Sequence, residues 1–149
     1  MPKKDVLKGT YCLVIHLNQK SRIKVGKQGF INFKKGYYVY VGSALNSLES
    51  RIKRHLSNDK KLHWHVDYLL KNENAEVVDV VFAVSDDRWE CSIASEISKN
   101  GEGVPKFGCS DCKCQSHLFY FNDLKPDEIC SNSFKKLKLK PENLETLKI

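Results

Sequence analysis

The sequence contains no apolar run near the roughly 20 residues that a membrane-spanning helix needs, which excludes the helical transmembrane class. Its polar, lysine-bearing start, residues 1–8, is not followed by an apolar stretch with a small-residue cleavage site, so no secretory signal is visible. The 149 residues also lack internal repeats and Gly- or Ser-rich linkers. These absences predict one soluble, cytoplasmic domain that needs no disulfides to fold.

Acidic residues are fewer than basic ones, 18 against 25. A basic surface attracts phosphates and releases counterions on binding, so the charge makes nucleic acid the leading partner class without establishing it. The six cysteines are expected to stay reduced or to bind metal, because disulfides are rare in a reducing cytosol. Cys12 lies inside an apparent strand and is predicted to be a small buried hydrophobe.

The first third of the chain has the composition of β-strands separated by turns. A first strand is predicted over Gly9–Leu17. Further strands are predicted over Arg22–Val25 and Phe30–Phe33, on either side of the Gly26–Gly29 turn, and over Tyr37–Val41. Together these segments predict an antiparallel meander.

The spacing of apolar residues then changes from that of a strand to that of a helix. Leu48, Ile52 and Leu56 recur every fourth residue, and Ser47 before them is a candidate N-cap, so a first helix is predicted here. A second helix is predicted over Leu62–Lys71, followed by a strand over Val77–Val84. Asp86 and Asp87 are predicted to open a third helix, with Trp89, Ile93 and Ile97 as its apolar stripe. A last strand is predicted over His117–Phe121.

This pattern predicts an α/β (α+β) fold with a small, mainly antiparallel sheet flanked by helices. We expect the folded domain to cover residues 1–122. The lysine-rich segment 123–149 is predicted to be a partly mobile tail, because little in it can be buried.

Two tyrosine-bearing segments, Gly9-Thr10-Tyr11 and Tyr40-Val41-Gly42, fall on strands that the fold can place side by side. They are followed by Arg51 and His55, which share one helical face because they are four residues apart. That face borders the apolar stripe, so both side chains are predicted to lean over the sheet towards the tyrosines.

This ordered series, with Ser43 and Ala44 after Gly42 and an acid on the third helix, resembles the GIY-YIG nuclease superfamily over roughly residues 9–98. Thr10 replaces the isoleucine of the family name, and it faces away from Tyr11. The later stretch, residues 110–120, is similar to an uncharacterised archaeal and bacterial subfamily, some of whose members are fused to a DNA-repair endonuclease.

The resemblance implies a metal-dependent endonuclease that hydrolyses phosphodiester bonds, with Mg²⁺ or Mn²⁺ as cofactor and DNA as the expected substrate. It assigns Tyr11 as proton acceptor, Tyr40 as its orienting partner, Arg51 as phosphate clamp, His55 as proton relay and Glu90 as metal ligand, with Glu96 as a rival to Glu90. A guanidinium and a carboxylate-held hard cation suit the charge that develops in phosphoryl transfer. A tyrosine with an ordinary pKa near 10 needs nearby positive charge to act as a base.

Residues 60–65 mix basic and aromatic side chains, so Lys61 and His63 are candidate nucleic-acid contacts. A plain helix start fits the same residues. The spacing of Cys109, Cys112, Cys114 and His117 could supply ligands to zinc, but the tight loop lacks the second separated pair of a common zinc finger. That lack favours a loop of reduced thiols.

Two other functions stay open at this stage. A nuclease-like domain without turnover could recognise nucleic acid for a DNA-repair partner enzyme, and it would tolerate chelation and loss of Glu90. A zinc-held interaction domain would instead contain stoichiometric zinc.

Overall fold

The computed structural model describes residues 7–44, 46–57, 62, 64–105, 107 and 116–147. The strands are β1 Gly9–Leu17, β2 Ser21–Lys24, β3 Phe30–Phe33, β4 Gly36–Ala44, β5 Ala75–Val84, β6 Glu102–Gly103, β7 Leu118–Tyr120 and β8 Glu142–Asn143. The helices are α1 Leu48–Leu56, α2 His65–Leu70, α3 Glu90–Ser98, α4 Asp127–Lys136 and α5 Leu144–Leu147, and a short 3-10 turn covers Gly26–Gln28.

The main sheet has the strand order β6-β7-β4-β1-β5-β8, and every neighbouring pair is antiparallel. The predicted α+β class, a mainly antiparallel sheet with flanking helices, is confirmed. The central strand β1 is buried at every position except His16. Successive side chains of a strand point to opposite faces, so a strand apolar throughout must be covered on both sides.

Helices cover both faces of this sheet. Tyr11, Leu13 and Ile15 of β1 join a core cluster with α1, α2 and the β2–β3 hairpin. The alternate residues Cys12 and Val14 join a second cluster with α3 and α4. Cys12 is fully buried there, as predicted.

The predicted meander is wrong in one respect. β1 pairs directly with β4, while β2 and β3 pair only with each other in a separate two-stranded sheet. The hairpin buries Ile23 and Phe33 in the core, so its apolar face is satisfied by packing rather than by strand pairing. A polar outer face would not suit the interior of the main sheet.

The third helix begins at Glu90 and not at Asp86. The Ser85 hydroxyl accepts hydrogen bonds from the Asp87 backbone N–H and the Trp89 indole N–H, both at 3.1 Å. The Trp89 backbone N–H donates to the Thr10 hydroxyl at 3.3 Å. These bonds hold the segment before Glu90 as a turn, which competes with helix formation.

The C-terminal segment is more buried than predicted. α4 packs on α3 and β5, with Cys130 and Phe134 fully buried, and β8 pairs with β5. The few apolar side chains of α4 fall on one helical face, so they are enough to hold α4 against α3 and β5 although the segment is rich in lysine. The domain division at residue 122 stays a prediction. Within the described ranges, no helix is both long and apolar enough to cross a membrane.

Candidate active site

Tyr11 and Gly42 are cross-strand partners in β1 and β4, and the tyrosine ring lies over the glycine. A Cβ at Gly42 would lie 2.5 Å from the Tyr11 hydroxyl oxygen and 2.6 Å from its Cζ, closer than real Cβ contacts allow. Glycine at this position therefore creates the space for the phenol. Tyr40 is a diagonal neighbour of Tyr11 on the same face, since it pairs with Leu13.

Helix α1 brings His55 onto these tyrosines. The Tyr11 hydroxyl and His55 Nε2 are 2.8 Å apart in a buried hydrogen bond, and the Tyr40 ring meets the His55 ring edge-on with centroids 6.2 Å apart. The predicted cap is confirmed, because the Ser47 hydroxyl accepts from the Ser50 backbone N–H at 3.1 Å. This cap sets where the helix starts, and hence which residues face the sheet.

Arg51, one turn before His55, is held from two sides. Its guanidinium donates to the Ser43 carbonyl oxygen at 3.0 Å, and its Cζ lies 4.3 Å from the centroid of the Trp64 ring. Its charge also lowers the pKa of the Tyr11 phenol, against the larger effect of burial. Such contacts orient a long flexible side chain before any ligand arrives.

A buried ion pair fixes Trp64 in turn. Arg54 donates two hydrogen bonds to the fully buried Asp67 carboxylate, both at 2.9 Å, and its Cζ lies 4.2 Å from the Trp64 ring centroid. Asp67 also accepts from the Trp64 backbone N–H at 2.8 Å. The paired bonds give this network a defined geometry, so Trp64 offers Arg51 a fixed aromatic surface.

Glu90 reaches the same end of the sheet from α3. The backbone of the preceding residue, Trp89, is bonded to Thr10, which places Glu90 at the end of β1 that carries Tyr11. The Glu90 charge raises the pKa of both Tyr11 and Tyr40. The rival, Glu96, contacts Lys99 at 2.9 Å and Lys136 at 3.6 Å instead. Of the two acids, Glu90 therefore belongs to the site.

Burial dominates the electrostatics of the two phenols. It raises the pKa of Tyr11 far above the usual value, and the Arg51 charge opposes this only in part. Burial also raises the pKa of Tyr40, and the nearby Tyr11 and Glu90 charges add to that rise. Both phenols are therefore protonated at neutral pH, and Tyr11 can accept a proton only if its own proton leaves towards His55.

The comparison with known families matches residues 10–139 to the domain of unknown function DUF123. The chain belongs to the DUF123 family. No curated protein and no solved structure matches it. The DUF123 span contains all five residues that meet at this site and extends through α4, so it crosses the domain end predicted at residue 122.

The structure describes some of the predicted site residues of this DUF123 domain and not others. Tyr11, Tyr40, Arg51, His55 and Glu90 come together at one end of the sheet. The candidate nucleic-acid contacts Lys61 and His63 lie outside the described residues, as do the cysteines of the zinc spacing, Cys109, Cys112 and Cys114. Zinc binding stays a prediction.

Sequence reasoning missed two parts of the site. His117 appeared only in the zinc spacing, yet it is buried near Glu90, and its Nε2 lies 3.9 Å from Cys91 Sγ. Trp64 appeared only as part of the basic and aromatic stretch 60–65, yet its ring supports Arg51. The sequence shows only that Trp64 comes shortly after a helix that ends in basic residues. It does not show which of those residues the ring contacts.

Proposed function

We propose that this chain is a GIY-YIG-type endonuclease that hydrolyses phosphodiester bonds of nucleic acid, DNA being the expected substrate, with a divalent cation. The observation that supports the proposal is the convergence of two phenols, a guanidinium, an imidazole and a carboxylate from four distant segments. Phosphoryl transfer needs positive charge on the phosphate, a route for the proton of the attacking water and a cation ligand. One residue type for each need is present.

The donor set fits Mg²⁺ or Mn²⁺ better than zinc. Two acids act on the phenols through their charge, Glu90 and Asp67. Asp67 is engaged by Arg54, so Glu90 is the candidate cation ligand. Mg²⁺ is usually held by one or two carboxylates, with waters and substrate phosphates completing its shell, whereas zinc takes three or four protein ligands. Bound at Glu90, such a cation would neutralise charge on the phosphate and on the leaving oxygen.

The proton step follows from the contacts of Tyr11. With the Arg51 charge acting on it, the Tyr11 phenol donates its O–H to His55 Nε2, 2.8 Å away, when the imidazole carries its own proton on Nδ1. As the water oxygen attacks phosphorus, its proton passes to the Tyr11 oxygen and the phenol proton passes to His55. The bond from phosphorus to the leaving sugar oxygen breaks with its electron pair on that oxygen, which takes a proton from solvent water, and His55 returns its extra proton to solvent. Tyr11 thus acts as a base without ever becoming a free phenolate, which its burial disfavours.

The same burial favours a second candidate function, recognition of nucleic acid without turnover. A phenol held strongly in its protonated form is a poor base if the relay to His55 fails, while Arg51 would still bind phosphate. A DNA-repair enzyme as partner and a cytoplasmic location are parts of the proposal that apply to both functions.

The deciding experiment incubates wild type, Arg51→Ala, Glu90→Gln and the control Lys53→Ala with branched, flapped, duplex and single-stranded substrates in Mg²⁺, Mn²⁺ or chelator. Lys53 lies on α1 but pairs with Glu49 at the surface, 3.3 Å away, so its loss tests for unspecific effects of charge. We expect Arg51→Ala and Glu90→Gln to lose about 10²–10³-fold in kcat/KM, as for other lost transition-state contacts.

Equal low cleavage by wild type and Arg51→Ala would indicate a contaminating nuclease and refute the hydrolase. Metal-independent binding that Arg51→Ala weakens, with no cleavage by any protein, would establish the recognition function instead. Loss of activity in Lys53→Ala to the same degree would show that the assay follows net charge and not the site.

A further inference from the structure

One segment of the chain carries basic residues and no acidic ones. Residues 6–48 contain no acidic residue, whereas all 18 acidic residues lie outside that segment. The seven basic residues of the segment equal the net charge of the whole chain, +7. They are Lys8, Lys20, Arg22, Lys24, Lys27, Lys34 and Lys35. The β2–β3 hairpin lies in the middle of this segment.

The two faces of the hairpin differ in chemistry. Ile23 and Phe33 point into the core, while the alternate positions Arg22, Lys24, Phe30 and Asn32 are exposed. Lys24 pairs with Phe30 across the hairpin, and Arg22 pairs with Asn32. We call these four residues the outer face of the hairpin. It combines two cations with one aromatic ring.

Phe30 is the notable member of this face, because 59% of its surface is exposed. The Arg22 guanidinium lies 4.5 Å from the centroid of its ring, so the ring is held in place without being buried. A fixed, exposed aromatic ring beside cations is what nucleic-acid bases stack on when their phosphates are neutralised alongside.

The hairpin is continuous with the candidate site. Gln28 in its turn contacts His65 of α2, with Nε2 and Nδ1 3.5 Å apart, and β2 packs against the same helix. His65 directly follows Trp64, whose ring contacts Arg51. A nucleic-acid strand with a phosphate at Arg51 can therefore run over Trp64 and reach the hairpin without leaving the protein surface.

We propose that the outer face of the hairpin, Arg22, Lys24, Phe30 and Asn32, binds the single-stranded part of a nucleic-acid substrate, with one base stacked on Phe30. The inference rests on the proposed function for the ligand class. A single strand is the occupant because its base faces are accessible, whereas in a duplex those faces are stacked on each other. The two exposed cations of this face, Arg22 and Lys24, complement the phosphates.

The test measures binding of fluorescein-labelled oligothymidine and of a blunt duplex in chelator, by anisotropy over a range of salt concentrations. Phe30→Leu keeps an apolar side chain and removes the aromatic face, and Phe30→Tyr restores that face. Leu124→Ala is the matched control, since this side chain is 77% exposed outside the basic segment. Lys135→Gln, on α4 at the opposite face of the sheet, controls for charge.

We expect Phe30→Leu to weaken oligothymidine binding about 5- to 150-fold, the usual effect of one lost base stack, and to change duplex binding less than twofold. Phe30→Tyr should bind like wild type. Arg22→Gln should reduce the salt slope of log affinity by about 0.7, the value for one phosphate contact on a single strand. Both controls should bind oligothymidine like wild type, and all variants should keep the wild-type melting temperature.

The proposal is overturned if wild type does not bind oligothymidine, if Phe30→Leu binds it like wild type, or if Phe30→Leu weakens single-strand and duplex binding equally. Phe30-dependent binding in a protein that cleaves no substrate would refute the nuclease and leave the hairpin surface established. Cleavage by wild type with Phe30-independent binding would refute only the hairpin surface.

Discussion

Gly42→Ala tests whether the space above Gly42 is what positions Tyr11. The backbone of Gly42 lies outside the positive-φ region, so alanine is compatible with it and the cost is steric. The new Cβ would lie 2.5 Å from the Tyr11 hydroxyl oxygen, where ordinary contacts begin at 3.4 Å. The phenol must therefore move by about 0.9 Å, which exceeds the roughly 0.5 Å within which a catalytic group must be held.

The expected loss is large in activity and moderate in stability. A shift of about 1 Å at a catalytic group can cost about 10²-fold in rate, and overpacking a buried site costs about 1–3 kcal/mol. The 2.8 Å bond between Tyr11 and His55 is the contact that the shift removes. We therefore expect kcat/KM to fall about 100-fold while the chain still folds.

The assay combines kcat/KM on a labelled substrate with urea unfolding of Gly42→Ala, Tyr11→Ala and the double variant. Without the Tyr11 ring there is no clash. The loss in free energy of unfolding caused by Gly42→Ala should therefore be at least about 1 kcal/mol smaller in the Tyr11→Ala background than in wild type. This difference lies within the coupling energy of about 0.5–3 kcal/mol that is usual for contacting residues. Gly103→Ala is the control, since its Cβ would meet Ser116 at a milder 3.3 Å. Wild-type turnover in Gly42→Ala, or equal destabilisation in both backgrounds, would refute the reasoning.

Three further predictions concern the groups around the site. Asp67→Ala leaves Arg54, which is partly exposed, without its paired bonds, so the free energy of unfolding in urea should fall by about 1–3 kcal/mol. An unchanged free energy of unfolding would contradict the assigned ion pair. Trp64→Leu removes the aromatic contact of Arg51 and should lower kcat/KM about tenfold, while Trp64→Phe should recover most of it; equal losses would exclude cation–π support. Burial raises the pKa of Tyr11, so the folded state holds the phenol proton more tightly than the unfolded state. The Tyr11 phenol should therefore leave the free energy of unfolding unchanged below about pH 10 and lower it above that pH, by up to about 1.4 kcal/mol per pH unit. Urea unfolding midpoints measured between about pH 8 and 11 should fall less steeply in Tyr11→Phe than in wild type.

The elements that depend on local pattern were predictable. The β1 bounds, Gly9–Leu17, agree with the structure, because a run of strand formers ended by turn residues is legible within nine positions. Helix α1 agrees as well, since a four-residue apolar period behind the Ser47 cap specifies both its start and its inward face. Tyr11, Arg51 and His55 meet because each lies on an element of this kind.

Local pattern failed where side chains from distant segments compete for the backbone. Asp86 and Asp87 satisfy the rules for a helix start, yet Thr10 and Ser85 take the hydrogen bonds that would begin the helix there. The burial of Phe134 was missed for a related reason, because one apolar helical face among lysines is enough only when a partner surface exists.

Composition, period and caps predicted the strands β1 to β5 and the first helix, and the order of tyrosines, arginine and histidine pointed to one kind of chemistry. Only the tertiary structure decided that the hairpin leaves the main sheet and that Trp64 supports Arg51. It also decided that Glu90 lies at the end of β1 that carries Tyr11, whereas Glu96 pairs with Lys99. Those outcomes depend on contacts between residues far apart in the chain. Hydrophobic packing is non-directional, so an apolar pattern predicts that a side chain is buried. Which residue that side chain contacts depends on how the elements pack in the folded protein.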